Sequence, residues 1–512
     1  VNKKGLNKPK LICHPNRCRE GLIDALKMGQ QLEFASQDTI ISLSQELSCD
    51  SDIVIVVERT ELITDIVAIN YAFASQYDLL FVNGTEDYNQ RWALQDRFNS
   101  VCMSIGSEVG SASDEFADLY DLIRSVFDFP AIEKKYKKAL VIFQSYPFGI
   151  LIESIPCAHM FHLQSDLRLL DGIVHSAVKR PAPCSKPIYF FVDSTDDKLT
   201  SEIPEIQNLL ESQSHLEFHL RNKDATVENF RRYMEFLPFD VLFVTGHGSS
   251  PACHDVTYDF KDIRGNSHSM RVLEYYQFGE SIGDLIAVQT FQEFLSIDGI
   301  PYKESELIAA KGLDHLKRDF VNDDNLKVLS AVELEPDTIL GLKLSNGVFI
   351  GDVRSYAELN DSIIILNTCG SLLETSQMLS FSGARCLIGT MWSVSDLEAR
   401  KFALELFNQG IETDMLSAFH YARSKLGRSR SGISYIYFGG VLDSFPNCPD
   451  EDSETEKALA QRLAAGIIKA STYVEHKLIR QEELDRFKTF PGLFGSAVDA
   501  LLDLTKQPNV AE

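Results

Sequence analysis

Two residues in this chain stand where apolar strands stop and could do thiol chemistry together. "DVLFVTGHGS" sets His247 between two glycines after a continuous apolar run, and "IIILNTCGS" ends a second such run at Cys369. The nucleophile in such chemistry is the thiolate, and a free cysteine is only a few per cent ionised at neutral pH. A neighbouring imidazole can take the thiol proton or stabilise the thiolate as an ion pair. The flanking glycines let a substrate backbone approach closely, and the N–H groups of Gly248 and Cys369 could hold a developing oxyanion. Each residue also has a purely structural reading, Cys369 as a small buried hydrophobe and His247 as a turn residue. Together, at two strand ends of one sheet, they point to nucleophilic catalysis.

The two lie 122 positions apart (369 minus 247), so only tertiary structure can join them. A parallel sheet does this, because its functional groups emerge at the carboxyl ends of neighbouring strands. The sequence predicts such a sheet. "IYFFVDST", "LEFHLR", "FDVLFVT", "DSIIILN" and "ARCLIGT" read as strands, with the helices "EIPEIQNLLESQ" and "TVENFRRYMEF" between the first three. Fully apolar strands alternating with helices imply an α/β fold, a mostly parallel sheet flanked by helices. Asp240 and Asp361 precede two of these strands and belong at the opposite end, so neither is a third catalytic member. Residues from about 250 to 345 break the rhythm. "HDVTYDFKDIRGNSHSMRVLEYYQF" and "VQTFQEFLSIDGIPY" alternate like hairpins around turn residues, predicting an antiparallel β insertion.

Residues 1–180 read as a separate N-terminal α/β domain, suited to sensing or partner binding, with "SDIVIVVERT", "YDLLFVNGT" and "KKALVIFQS" as strands. "KRPAPCSKP" (179–187) reads as a linker because three prolines resist regular structure. The main domain is then 186–446, and 447–512 is an acidic hinge followed by a helical tail. No glycine-rich phosphate motif follows any predicted strand, so a nucleotide site has no motif support.

Bulk properties narrow the function. Over 512 residues the formal net charge is −25, which repels phosphate backbones and excludes broad nucleic-acid binding. Ten cysteines without a CxxC pair fit a reducing, cytoplasmic setting. Cys13, His14 and Cys18 lack a partner pair at zinc spacing, so neither metal nor organic cofactor is expected. No apolar run is long enough to cross a bilayer. The chain opens "VNKKGLNK" without methionine, which points to a trimmed start.

The ordered series "DVLFVTGHGS", "GVFIGDV", "IIILNTCGSLLET", "ARCLIGTMWSVSDLEARKFALELF", "SAFHYARSKL" and "YIYFGG" resembles the CHAT family of caspase-like cysteine peptidases, in the caspase/separase-like clan. The likeness runs over most of 186–440 outside the insertion. It implies a Cys369–His247 dyad, with the Gly248 and Cys369 N–H groups as the oxyanion hole, hydrolysing peptides through a thioester. It also implies a regulated prokaryotic effector in antiviral defence or cell death, a protein substrate encoded nearby, and an activating partner or sensor protein. The tetratricopeptide repeats frequent in that family are missing, and the insertion is long.

A pocket for the residue before the cut is expected between the approach to Cys369 and the loop after Trp392. Asp396 and Glu374 lie near it; an acidic pocket would select Arg or Lys, although both also read as helix-cap or surface residues. Two other functions stay open: a catalytically silent caspase-like scaffold, and a ligand sensor acting through residues 1–180.

Overall fold

The structure is a computed structural model describing residues 10–13, 31–34, 49–59, 62–83, 97, 129–143, 148–161, 186–194, 201–249, 252–261, 267–282, 285–301, 327–334, 341–349, 362–371, 384–391, 394–427, 430–440, 445–446, 458–459 and 461–466. A short parallel pair, β1 (Lys10–Cys13) and β2 (Gln31–Phe34), comes first. Then follow β3 (Ile53–Arg59), β4 (Asp78–Asn83), β5 (Lys138–Phe143) and β6 (Cys157–Phe161), and after them β7 (Ile188–Asp193), β8 (Leu216–Arg221) and β9 (Val241–Thr245). The excursion holds β10 (Gly248–Ser249), β11 (Ala252–Lys261), β12 (Ser267–Ile282), β13 (Leu285–Ile297), β14 (Ile300–Pro301), β15 (Lys327–Leu334), β16 (Gly341–Leu344) and β17 (Gly347–Phe349). The last strands are β18 (Ile363–Asn367), β19 (Cys386–Thr390) and β20 (Tyr435–Gly439).

Ten of these strands form one sheet, in the order β4-β3-β5-β6-β20-β19-β18-β9-β7-β8. Every neighbouring pair is parallel except β19–β20. The two α/β series of the sequence therefore lie in a single sheet as two parallel halves of opposite direction, with β20 between them. Their carboxyl ends open on opposite rims.

Strands β7, β9, β18 and β19 are buried along their whole length, which is why they read as unbroken apolar runs. Alternate residues serve opposite faces. Val56, Phe190, Leu242 and Ile364 enter one core, and Val57, Phe191, Phe243 and Ile365 the other. Both cores span both halves. Lys138, at the start of β5, also pairs at 2.7 Å with Asp414, which caps the helix Met415–Leu426. Arg423 of that helix reaches back to the Ile150 carbonyl.

The expected insertion is a five-stranded antiparallel sheet, β14-β13-β12-β11-β15. Its Asp298-Gly299 turn has φ of 51° and 77°, as the Asp-Gly signal requires. The hairpin β16–β17 is fastened elsewhere. Asn346 accepts from the Val227 N–H (2.8 Å) and donates to Glu228 (2.7 Å), at the start of the helix Val227–Phe236. In the tail, residues 461–466 are helical; Arg462 donates to the Pro238 carbonyl (2.7 Å) and to Asp240 (3.0 Å).

Candidate active site

Strands β9 and β18 are parallel neighbours, and their last residues, Thr245 and Asn367, are register partners. His247 follows Thr245 by two residues and Cys369 follows Asn367 by two. The sheet thus delivers both side chains at one rim from adjacent strands, about 5 Å apart at the backbone where they end. Both are partly exposed, unlike the strands that carry them. Asp240 sits at the other end of β9, where its carboxylate accepts from the Ile188 N–H at 2.9 Å. Asp361, Glu374 and Trp392 lie outside the described residues.

The turn into His247 depends on Gly246. Its φ is +151°, and a Cβ there would run into the Ser194 hydroxyl at the end of β7. Ser194 closes the same turn by donating its N–H to the Thr245 carbonyl at 3.1 Å. Beyond it, the Lys343 N–H donates to the His247 carbonyl at 2.9 Å, and Gly248 faces Leu342 in the antiparallel β10–β16 pair. Hydrogen-bonded and non-hydrogen-bonded pairs alternate in such a ladder. Because His247 and Lys343 form the bonded pair, the Gly248 N–H points away from β16.

Cys369 lies against the chain that enters the helix Asp396–Gly410. Its Sγ is 3.4 Å from the Val394 nitrogen and 3.6 Å from the Val394 oxygen. The thiol can donate to that carbonyl, whereas a thiolate would accept from that N–H. Ser395 caps the helix: its hydroxyl accepts from the Glu398 N–H (3.3 Å) and donates to the Glu398 carboxylate (2.8 Å). Asp396 is the first helical residue and is exposed.

Beneath the two loops lies a polar network that the sequence reading missed. Asn367, 2 % exposed, donates to Glu202 (2.6 Å) and to the Ala399 carbonyl (3.1 Å), and accepts from the Tyr435 hydroxyl (2.6 Å). Burial pushes the Glu202 carboxyl up, partly offset by its hydrogen bonds with Asn367 and Thr245. Burial and the nearby Glu202 hold the Tyr435 phenol well above its ordinary value, so it stays a neutral donor. The one available signal was a polar Asn closing "IIIL". Thr390 locks the far side, its hydroxyl donating to the Thr368 carbonyl at 2.6 Å.

A second cysteine–histidine pair shows what this rim provides. In β6, the Cys157 Sγ lies 3.9 Å from the His159 Nε2, and both residues are buried. Burial pushes the thiol far up and the imidazole down to about 3. Neither group carries charge at neutral pH, and no substrate can reach them. Among the described residues no cluster of His, Cys, Asp and Glu could hold a metal ion.

No protein-family model matches the chain, and no curated protein matches it. Solved structures similar to it include the complex of the pro- and mature domains of Porphyromonas gingivalis RgpB. That likeness has 10 % identity and a TM-score of 0.38, and covers 77 % of this chain and 79 % of that one. The Saccharomyces cerevisiae separase–securin complex is similar at 10 % identity and a TM-score of 0.31, over 74 % of this chain and 25 % of that one.

Proposed function

We propose that the chain is a caspase-like cysteine endopeptidase of the CHAT type, with Cys369 as nucleophile and His247 as its acid–base partner. One observation carries the reading: the register pair Thr245–Asn367 sends His247 and Cys369 from neighbouring strands to the same partly exposed rim. His247 takes the Cys369 proton, and the thiolate adds to the scissile carbonyl carbon. The oxyanion is held by the N–H groups of Gly248 and Cys369, the first of which is directed away from its ladder. Collapse breaks the C–N bond, and the imidazolium protonates the departing amine. A water that then gives its proton to His247 hydrolyses the thioester, releasing the acid and restoring the thiol.

Val394 touches the thiol, and exposed Asp396 follows it by two residues. Asp396 is therefore the candidate for selecting a basic residue at the edge of the pocket, with Trp392 as its companion on sequence grounds. The same reading includes a protein substrate, an activating partner and a cytoplasmic defence or cell-death role.

The test uses electrophilic peptidyl ketones varied at the position before the warhead, with modified cysteines mapped by mass spectrometry. Labelling of Cys369 that disappears in His247→Ala is the expected result. Reaction at other exposed thiols with Cys369 untouched would overturn the assignment in favour of a partner-binding scaffold.

A further inference from the structure

Glu202 precedes the helix Ile203–Leu210, yet its side chain makes no capping hydrogen bond to that helix. It turns inward instead. At 5 % exposure, its carboxyl group accepts from the Asn367 amide at 2.6 Å and bonds the Thr245 side chain. These are the two register partners that end β18 and β9. A buried carboxyl is expensive to keep, and an apolar side chain of similar volume would fill the space at lower desolvation cost. The same replacement would leave the Asn367 amide and the Thr245 hydroxyl short of a partner.

We infer that Glu202 is a positioning residue for the dyad: one carboxyl group, bonded to Thr245 and Asn367, fixes the separation of the loops carrying His247 and Cys369. The inference rests on the catalytic reading above. Glu202 touches neither dyad residue and acts through the strand ends. Asn367 passes the restraint on, because its remaining amide proton is held by the Ala399 carbonyl and its oxygen by Tyr435. Strand β18 therefore cannot shift toward β9 or away from it without breaking this network.

The experiment measures kinact and KI of a peptidyl ketone at Cys369 in the full chain. Glu202→Ala should lower kinact at least tenfold and leave KI unchanged, since the peptide-binding surface is intact. Glu202→Gln should recover most of kinact, because its amide oxygen still accepts from Asn367 and its NH2 can face the Thr245 hydroxyl. Wild-type kinact in Glu202→Ala would overturn the positioning role while leaving the dyad standing. Loss of His247-dependent labelling already in the wild type would overturn the dyad, and the inference with it. If Glu202→Ala does not fold, Thr245→Val decides: kinact reduced with KI unchanged supports the inference, and wild-type kinact overturns it.

Discussion

Thr245 and Asn367 are register partners on adjacent parallel strands, and each stands two residues before a candidate catalytic side chain. The geometry of the site is thus inherited from the sheet. A strand slip of one residue would move His247 or Cys369 by more than about 3 Å and turn it to the other face.

Replacing His247 by Ala should lower kcat/KM by at least about a hundredfold, the usual scale for a lost general acid–base group. The fold should survive, because His247 packs in a loop and not in either core. Peptide cleavage and thermal unfolding on the same preparation check both halves; unchanged turnover would remove His247 from the mechanism.

Replacing Gly246 by Ala forces a side chain into a positive-φ turn that already holds the Ser194 hydroxyl. The expected loss is about 1–3 kcal/mol of stability, together with displaced His247 and reduced activity. Urea unfolding gives the first quantity. A companion Ser194→Gly change should restore part of it by clearing the space.

Replacing Asn367 by Leu leaves Glu202 and the Tyr435 hydroxyl buried without their shared partner. A destabilisation of about 2–4 kcal/mol is expected, large for one substitution. Denaturant midpoints at constant m-value measure it, and a midpoint equal to wild type would contradict the network.

At edge strand β8 a carboxylate sits between two imidazoles. Glu217 accepts from His215 (2.7 Å) and His219 (3.0 Å). Burial alone would lower His215, but its bonds to Glu217 and the Gln213 carbonyl outweigh that and hold it above its ordinary 6.5. Burial alone would raise Glu217, but the two imidazoles and Gln207 outweigh that and hold it far below its ordinary 4.5. The His215 contribution is complete below the unfolded histidine value and is lost as pH rises through the folded one. The Glu217 contribution is complete above the unfolded carboxylate value and is lost as pH falls through the folded one. Stability from this group therefore peaks between the carboxylate and imidazole ranges, and Glu217→Gln should flatten that peak by up to about 1 kcal/mol. Urea midpoints from about pH 2 to 8.5, which cover the fall of the carboxylate contribution below its unfolded value as well as the imidazole range, would show it.

Excising 252–334 behind a flexible linker should change cleavage selectivity or activation while sparing His247-dependent labelling of Cys369. Extending the cut through 345 should abolish labelling as well, because it removes β16 and the Lys343 N–H that holds the His247 carbonyl. Identical selectivity and activation in the shorter deletion would show that the insertion serves neither.

What the sequence revealed follows from locality. His247 and Cys369 were legible because buried parallel strands are apolar throughout and stop abruptly, so the polar residues after them stand out. The insertion was legible through its two-residue alternation and the Asp298-Gly299 turn. Glu202 was not, because 165 positions separate it from Asn367 and nothing in "TSEIPEIQ" distinguishes an inward carboxylate from an outward one. Nor was the direction of β20: "YIYFGG" is the same apolar strand whichever way it runs, and only the helices before it decide.

The reversal at β20 also shapes the mechanics of the protein. On one side β20 matches β19 over five residues, Tyr435 to Gly439, but on the other it meets β6 at a single registered pair, Phe438 and His159. A plate stitched unevenly yields along its weakest row. Here that row is backed by the two shared cores and by the Lys138–Asp414 and Arg423–Ile150 links, so packing more than ladder bonding joins the halves.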